Sequence, residues 1–142
     1  MIAYMDSSAV VKRLLDQPGA DVVADLWERA TTVVSSQVVY PEARAALVTA
    51  QRAGQLDDAQ LGAIRCKLER LMDDLELVGL DGDLADVAGR LAEDHALPAT
   101  DAIHLAAVLS IEAPRVVVAT WDPGLGAASA ECGMPVVPQV AG

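Results

Sequence analysis

Apolar positions along the chain follow two spacings, and each spacing predicts a different element. Short continuous apolar runs predict strands, at residues 2–5, 32–35, 76–80, 115–120 and 134–138. Apolar residues recurring three and four positions apart predict helices, at 7–15, 19–30, 41–53, 56–75, 83–95 and 99–112, with a short one within 120–133. Strands alternating with helices indicate an α/β domain with a parallel sheet and right-handed crossovers.

The composition is that of a folded chain with an aliphatic core. Of its 142 residues, 53% are hydrophobic, and the mean hydropathy of +0.32 excludes a disordered protein. Phe is absent and aromatic residues make up 3%, so packing depends on Ala, Val and Leu. The first apolar run precedes Lys12 and Arg13 and does not follow basic residues, which argues against a signal peptide. We expect a cytoplasmic protein, without a membrane span, whose two cysteines are free and mostly buried.

The net charge of −11 argues against binding nucleic acid through a general cationic surface. Residues 1–71 hold eight basic and nine acidic side chains, whereas residues 72–142 hold two basic and twelve acidic ones. Contacts with a polyanion are therefore expected from the first half of the chain. The candidates are Lys12, Arg13, Arg44, Arg52, Arg65, Lys67 and Arg70.

Two carboxylates stand directly after predicted strands. Asp6 follows the run IAYM, and Asp122 follows RVVVAT after one intervening residue. Ligands of open α/β sheets bind outside the carboxyl ends of the strands, where these side chains meet. Carboxylates brought together repel unless they share a cation, and oxygen ligands select Mg²⁺ or Mn²⁺. Such a site suits phosphate chemistry.

Two further acids fall at predicted helix starts. Glu42 follows Pro41, and Asp101 follows Thr100, which is the predicted cap of its helix. Acids at these positions also stabilise helix N-termini by themselves. Capping and a role in the site both remain open for Glu42 and Asp101.

Four stretches together resemble the PIN domain, in particular the toxin subunit of VapBC toxin–antitoxin pairs. They are MDSSAVVK, VVYPEARAAL, LPATDAIHLAAV and VVVATWDPGLGAAS, in the family's order along the chain. The resemblance implies one domain over residues 1–142, with three α/β/α layers and a mostly parallel central sheet. It implies a Mg²⁺-dependent endoribonuclease that inhibits translation and growth and is neutralised by a cognate VapB-type antitoxin.

The resemblance also implies roles for particular residues. The family's metal-binding and catalytic acids match Asp6, Glu42, Asp101 and Asp122, with Thr120 as a polar catalytic helper. Ser8 matches a hydroxyl two residues after the first acid, His104 is interpreted as structural, and Trp121 is given no catalytic role. Water would attack the phosphodiester, so cleavage would leave a 5′-phosphate and a 3′-hydroxyl.

Assembly is a further expectation from the resemblance. Family members form homodimers through helices, and the apolar faces at 19–30 and 41–53 are the candidates for this contact. A flexible antitoxin arm would pack along helices of the first half and insert an Arg or Lys among the acids.

Three other classes fit the residues less well. A phosphoacceptor receiver domain requires a lysine after a late strand, but the only lysines are Lys12 and Lys67. A haloacid dehalogenase-type phosphatase requires an Asp two residues after its nucleophile, where this chain has Ser8. A catalytically silent PIN-fold interaction module is the remaining alternative.

Overall fold

The computed structural model describes residues 1–139 as an α/β domain of strands and helices in alternation. Its strands are β1 (Ile2–Met5), β2 (Thr32–Ser36), β3 (Glu76–Val78), β4 (Val116–Ala119) and β5 (Val136–Val137). Its helices are α1 (Ser7–Leu15), α2 (Ala20–Arg29), α3 (Val39–Arg52), α4 (Asp58–Asp73), α5 (Gly82–His95), α6 (Ala99–Leu109) and α7 (Pro123–Glu131). Every predicted strand and helix is present. Residues 140–142 of the predicted domain lie outside the described residues.

All strand pairs in the five-stranded sheet are parallel, in the order β3-β2-β1-β4-β5. The central strand β1 pairs with β4 in a register that places Met5 opposite Ala119. The residues that follow, Asp6 and Thr120, therefore leave the sheet at the same edge. This is the carboxyl-terminal edge, where ligands of such sheets bind.

Helices cover both faces of the sheet, which confirms the predicted three layers. Ala3 and Met5 of β1 belong to a core shared with α1 to α4. Tyr4 points to the opposite face, because successive strand residues alternate, and packs with Ala107 and Val108 of α6. Helices α5, α6 and α7 pack together on that side. Both β1 and β4 are buried on both faces, as their apolar runs indicate.

The predicted start of α3 near Pro41 is correct to within two residues, but the predicted cap of α6 is wrong. Helix α3 begins at Val39, and Pro41 lies in its first turn, where a missing N–H costs no hydrogen bond. Helix α6 begins at Ala99, after Pro98, so Thr100 is inside the helix and does not cap it. Glu42 and Asp101 lie in the first turns of these helices, and neither helix has a side-chain cap.

Two smaller expectations can be compared with the described part of the chain. No helix in residues 1–139 is both long enough and apolar enough to cross a membrane. Both cysteines are free, but Cys66 is exposed and not buried as expected. Position 66 faces solvent on α4, whose buried face is formed by Leu61, Leu68 and Leu71.

Candidate active site

Asp6 lies between β1 and α1 and is the N-cap of that helix. One carboxylate oxygen, Oδ1, accepts hydrogen bonds from the Ala9 amide at 2.9 Å and the Ser8 hydroxyl at 2.6 Å. The other, Oδ2, accepts one from Thr120 Oγ1. Only 3% of the residue is exposed. Burial raises the pKa of Asp6, and the hydrogen bonds from Ser8 and Thr120 oppose this by stabilising the charged form.

Asp122 is the corresponding residue at the end of β4 and is the N-cap of α7. Its Oδ1 accepts a hydrogen bond from the Leu125 amide at 2.9 Å. Its own amide donates to Thr120 Oγ1 at 3.0 Å, so the Thr120 hydroxyl joins Asp6 to Asp122. The Ser8 hydroxyl, which donates to Asp6, also accepts from the Trp121 amide at 2.9 Å and so makes a second link between the ends of β1 and β4. The two acids chosen for their position after strands are thus also helix caps.

Glu42 reaches the site from α3 and is held by two side chains. Its Oε1 lies 2.7 Å from His104 Nε2, and its Oε2 accepts from the Ser7 hydroxyl at 3.3 Å. His104 Nδ1 lies 2.7 Å from the Tyr4 hydroxyl. Sequence reasoning treated His104 as structural and did not consider Tyr4 or Ser7. The available signal was the spacing of His104, one helical turn after Asp101.

Asp101, on α6, lies within electrostatic reach of the other three acids. Burial is the largest cause of its raised pKa, and repulsion from Asp122, Asp6 and Glu42 adds to it. The fold thus brings the four predicted acids to one edge of the sheet, although they are distant in sequence. We call Asp6, Glu42, Asp101 and Asp122 the carboxylate cluster.

The carboxylate cluster fits a hard cation by donor type, but the side chains do not form a complete ligand set. None of its members pairs with Lys or Arg among residues 1–139, and its donors are all oxygens, as Mg²⁺ and Mn²⁺ prefer. In the same residues, no group of three or more His, Cys, Asp or Glu side chains is arranged to hold a metal ion. Asp6 Oδ1 accepts two hydrogen bonds, whereas Asp6 Oδ2 and both oxygens of Glu42 accept one each and keep a lone pair that a cation can use.

A cleft of about 480 Å³ opens beside the cluster, between α1, α3 and Trp121. Its walls include Ser7, Lys12 and Glu42. The Lys12 ammonium lies 5.1 Å from the centre of the Trp121 ring. Of the predicted basic contacts, Lys12 therefore shares this cleft with Glu42. Arg13 and Arg44 instead lie over the rings of Trp27 and Tyr40.

Comparison with known proteins places the chain in a family. Residues 3–128 match the family model described as the PIN domain. The chain belongs to the PIN domain family. This PIN domain is 38% identical to ribonuclease VapC45 of Mycobacterium tuberculosis over 133 residues, which are 92% of either chain.

Solved structures share the fold of this PIN domain. PAE2754 from Pyrobaculum aerophilum superposes with a TM-score of 0.72 at 19% identity, over 96% of this chain and 84% of the other. A toxin–antitoxin complex from Klebsiella pneumoniae gives a TM-score of 0.61 at 17% identity, over 86% of this chain and 93% of that one. At these identities the likeness concerns the fold alone.

Proposed function

We propose that this PIN domain is a Mg²⁺-dependent endoribonuclease, the toxin of a toxin–antitoxin pair, that hydrolyses RNA phosphodiesters and so inhibits translation and growth. The carboxylate cluster at the carboxyl-terminal edge of the sheet is the observation that carries the proposal. The name of VapC45, ribonuclease, supports the reaction, since that relative aligns over 92% of this chain.

The cluster residues are the proposed metal ligands. Asp6, Asp101 and Asp122 would hold Mg²⁺, or Mn²⁺ as a substitute, directly or through water, and Glu42 would complete the set. Bound there, the cation would neutralise charge on the phosphodiester and favour ionisation of a water molecule. Thr120 contributes by holding Asp6, and through the Asp122 amide it fixes the spacing of the two strand-end acids.

The remaining chemistry belongs to residues around the cleft. Glu42 lines the cleft and carries a carboxylate that can orient an attacking water through a hydrogen bond. Lys12 provides the nearby positive charge that a phosphate group requires. Attack by water, and not by the ribose 2′-hydroxyl, would release a 5′-phosphate and a 3′-hydroxyl.

A cognate VapB-type antitoxin is the proposed partner that keeps the enzyme inactive. The cleft has Val11, Ala45 and Ala46 along its walls and Glu42 at its acidic end. An antitoxin arm could pack apolar side chains against α1 and α3 while its Arg or Lys reaches the carboxylates by charge-assisted hydrogen bonds. The Klebsiella pneumoniae complex shows that a protein of this fold occurs with an antitoxin.

The proposed enzyme is a single-domain homodimer acting in the cytoplasm. The predicted contact through α2 and α3 has little apolar surface in the described residues, since Val22 is the one exposed large apolar side chain there. Exposed Val87 and Leu109 line a cleft of about 470 Å³ at α5 and α6, whereas exposed Leu77 and Leu80 line a separate cleft of about 600 Å³ beside Tyr40 and Pro41 of α3. We place the proposed dimer contact at the cleft lined by Val87 and Leu109.

Cleavage of structured RNA with Mg²⁺ and with EDTA tests the proposed reaction. Wild type should cut only with the metal. Asp6→Asn should be inactive, because the cluster loses one of its negative charges. Without metal it should be no less stable than wild type, because the substitution removes a buried charge and its repulsion by the other acids. Asp21→Asn is the matched control, since Asp21 is an exposed acid of α2 that does not belong to the cluster, and it should cut like wild type.

Two results would contradict the proposal. Cutting that continues undiminished in EDTA, or that survives in Asp6→Asn, excludes metal-dependent hydrolysis at the cluster. A wild-type protein that cuts no RNA with Mg²⁺ or Mn²⁺ favours the catalytically silent interaction module.

A further inference from the structure

A buried chain of hydrogen bonds runs from the centre of the sheet to Glu42. The hydroxyl of Tyr4 on β1 lies 2.7 Å from His104 Nδ1, and His104 Nε2 lies 2.7 Å from Glu42 Oε1. Tyr4 is fully buried, and His104 is 1% exposed. The chain joins the α6 side of the sheet to α3 on the other side.

The direction of donation follows from the groups at each end. An ionised carboxylate only accepts hydrogen bonds, so His104 Nε2 carries the hydrogen shared with Glu42. The neutral Tyr4 phenol has one proton to donate. With a neutral imidazole, Nδ1 accepts that proton in a hydrogen bond, and this selects the ring form whose Nε2–H points at Glu42.

Glu42 needs such a partner more than the other cluster members do. Asp6 and Asp122 are held by backbone amides of the helices that they cap, at 2.9 Å in each case. Within residues 1–139 no backbone amide donates to the Glu42 carboxylate, which also has a longer side chain and faces repulsion from Asp101. Its other contact, with the Ser7 hydroxyl, is longer at 3.3 Å.

We propose that His104, oriented by Tyr4, is a positioning residue that holds the Glu42 carboxylate within the cluster for cation binding and for RNA hydrolysis. This inference rests on the proposed function of the cluster. Packing alone does not account for a histidine at position 104, because an apolar side chain would fill the same buried space. In addition, both ring nitrogens make hydrogen bonds. Its neighbours Leu105 and Val108 supply the apolar packing of α6.

Four variants separate positioning from packing. His104→Leu keeps an apolar side chain and removes both hydrogen bonds. His104→Gln keeps an amide N–H that can reach Glu42. Tyr4→Phe removes only the donor to Nδ1. His95→Leu is the matched control, because His95 is the other histidine and bonds to Glu131 of α7, which is outside the cluster.

Two readouts are needed, and the first does not involve activity. Binding of Mn²⁺ to the RNA-free protein is followed by calorimetry, and kcat and KM for RNA are measured with Mg²⁺. We expect His104→Leu to lose about 10- to 100-fold in Mn²⁺ affinity and in kcat, as is typical when a partner of a metal ligand is removed. KM should change little. His104→Gln should recover most of both losses, Tyr4→Phe should show a smaller loss in both, and His95→Leu should match wild type.

The proposal is overturned if folded His104→Leu and Tyr4→Phe bind Mn²⁺ and turn over RNA like wild type, with only their melting temperatures lowered. It is also overturned if His104→Gln recovers nothing. Should His104→Leu not fold, the proposal is overturned if Tyr4→Phe binds Mn²⁺ and turns over RNA like wild type. Failure of this proposal leaves an active wild type whose variants are equally active, whereas failure of the proposed function leaves a wild type that cuts no RNA.

Discussion

The Thr120 hydroxyl donates a hydrogen bond to the Asp6 carboxylate and accepts one from the Asp122 amide. One side chain thereby connects the ends of β1 and β4, 114 residues apart along the chain. Thr120 is itself only 3% exposed, so water cannot reach this position to supply these hydrogen bonds in place of the hydroxyl. The spacing of the two strand-end acids depends on this residue.

Thr120→Val should destabilise the protein by about 1–3 kcal/mol, because a buried carboxylate and a buried amide each lose a partner while side-chain shape is kept. Thr120→Ser keeps the hydroxyl and should lose less. Urea unfolding of the two variants and of wild type, with EDTA present, measures the difference. A Thr120→Val protein within about 0.5 kcal/mol of wild type would show that this link is not structural.

The metal-free protein should lose stability as the cluster ionises. The pKa values of Asp6 and Asp101 are raised above the ordinary 3.8, so the folded state binds these protons more tightly than the unfolded state does. Their contribution is fully present below the ordinary pKa and is lost as pH rises through the raised one. Above that range Asp101→Asn should melt at a higher temperature than wild type.

Melting in EDTA across a pH series checks this sign. The advantage of Asp101→Asn should vanish at low pH, where wild type is also protonated, and should shrink when Mg²⁺ is added to wild type. An Asp101→Asn protein that is less stable than wild type at neutral pH without metal would contradict repulsion within the cluster.

Inhibition by the antitoxin should weaken as Mg²⁺ rises, because the cationic side chain of the arm and the metal compete for the same oxygens. Binding of an antitoxin peptide should also fall in Asp122→Asn. Titration of the peptide into wild type and Asp122→Asn at several Mg²⁺ concentrations measures both effects. If affinity depends on neither, the arm acts by blocking RNA access or the dimer contact.

The protein should be a dimer at micromolar concentration, and Val87→Glu should convert it to a monomer. Val87 is 40% exposed on α5 and lines the same cleft as exposed Leu109. Val22→Glu is the matched control on α2, at a valine that is 37% exposed. The molar mass from light scattering decides between the two surfaces. If Val22→Glu is a monomer and Val87→Glu is a dimer, the contact lies on α2 as the sequence predicts. If wild type is a monomer, neither surface forms a dimer.

Sequence pattern alone determined the order of elements and the edge at which the site lies. The continuous apolar runs of β1 and β4 are typical of strands buried on both faces, and a carboxylate after such a strand must emerge at its carboxyl end. Asp6 and Asp122 could therefore be assigned to one edge before any contact was known. The cap of α6 could not be assigned in this way, because acidic and hydroxyl residues near a helix start compete for the cap position and packing decides between them.

Only the tertiary structure decided what the acids contact. Local pattern left helix capping open for Glu42 and Asp101, yet the two of the four acids that cap helices are Asp6 and Asp122, and Glu42 instead bonds to His104 from another layer. Likewise, no local signal connects Tyr4 to His104, which are 100 positions apart in the chain. The spacing of apolar residues within one helix or strand indicates which of its faces is buried, because each element buries its own apolar side. Hydrogen bonds between side chains depend on distances across the sheet, and those distances exist only once the layers have packed.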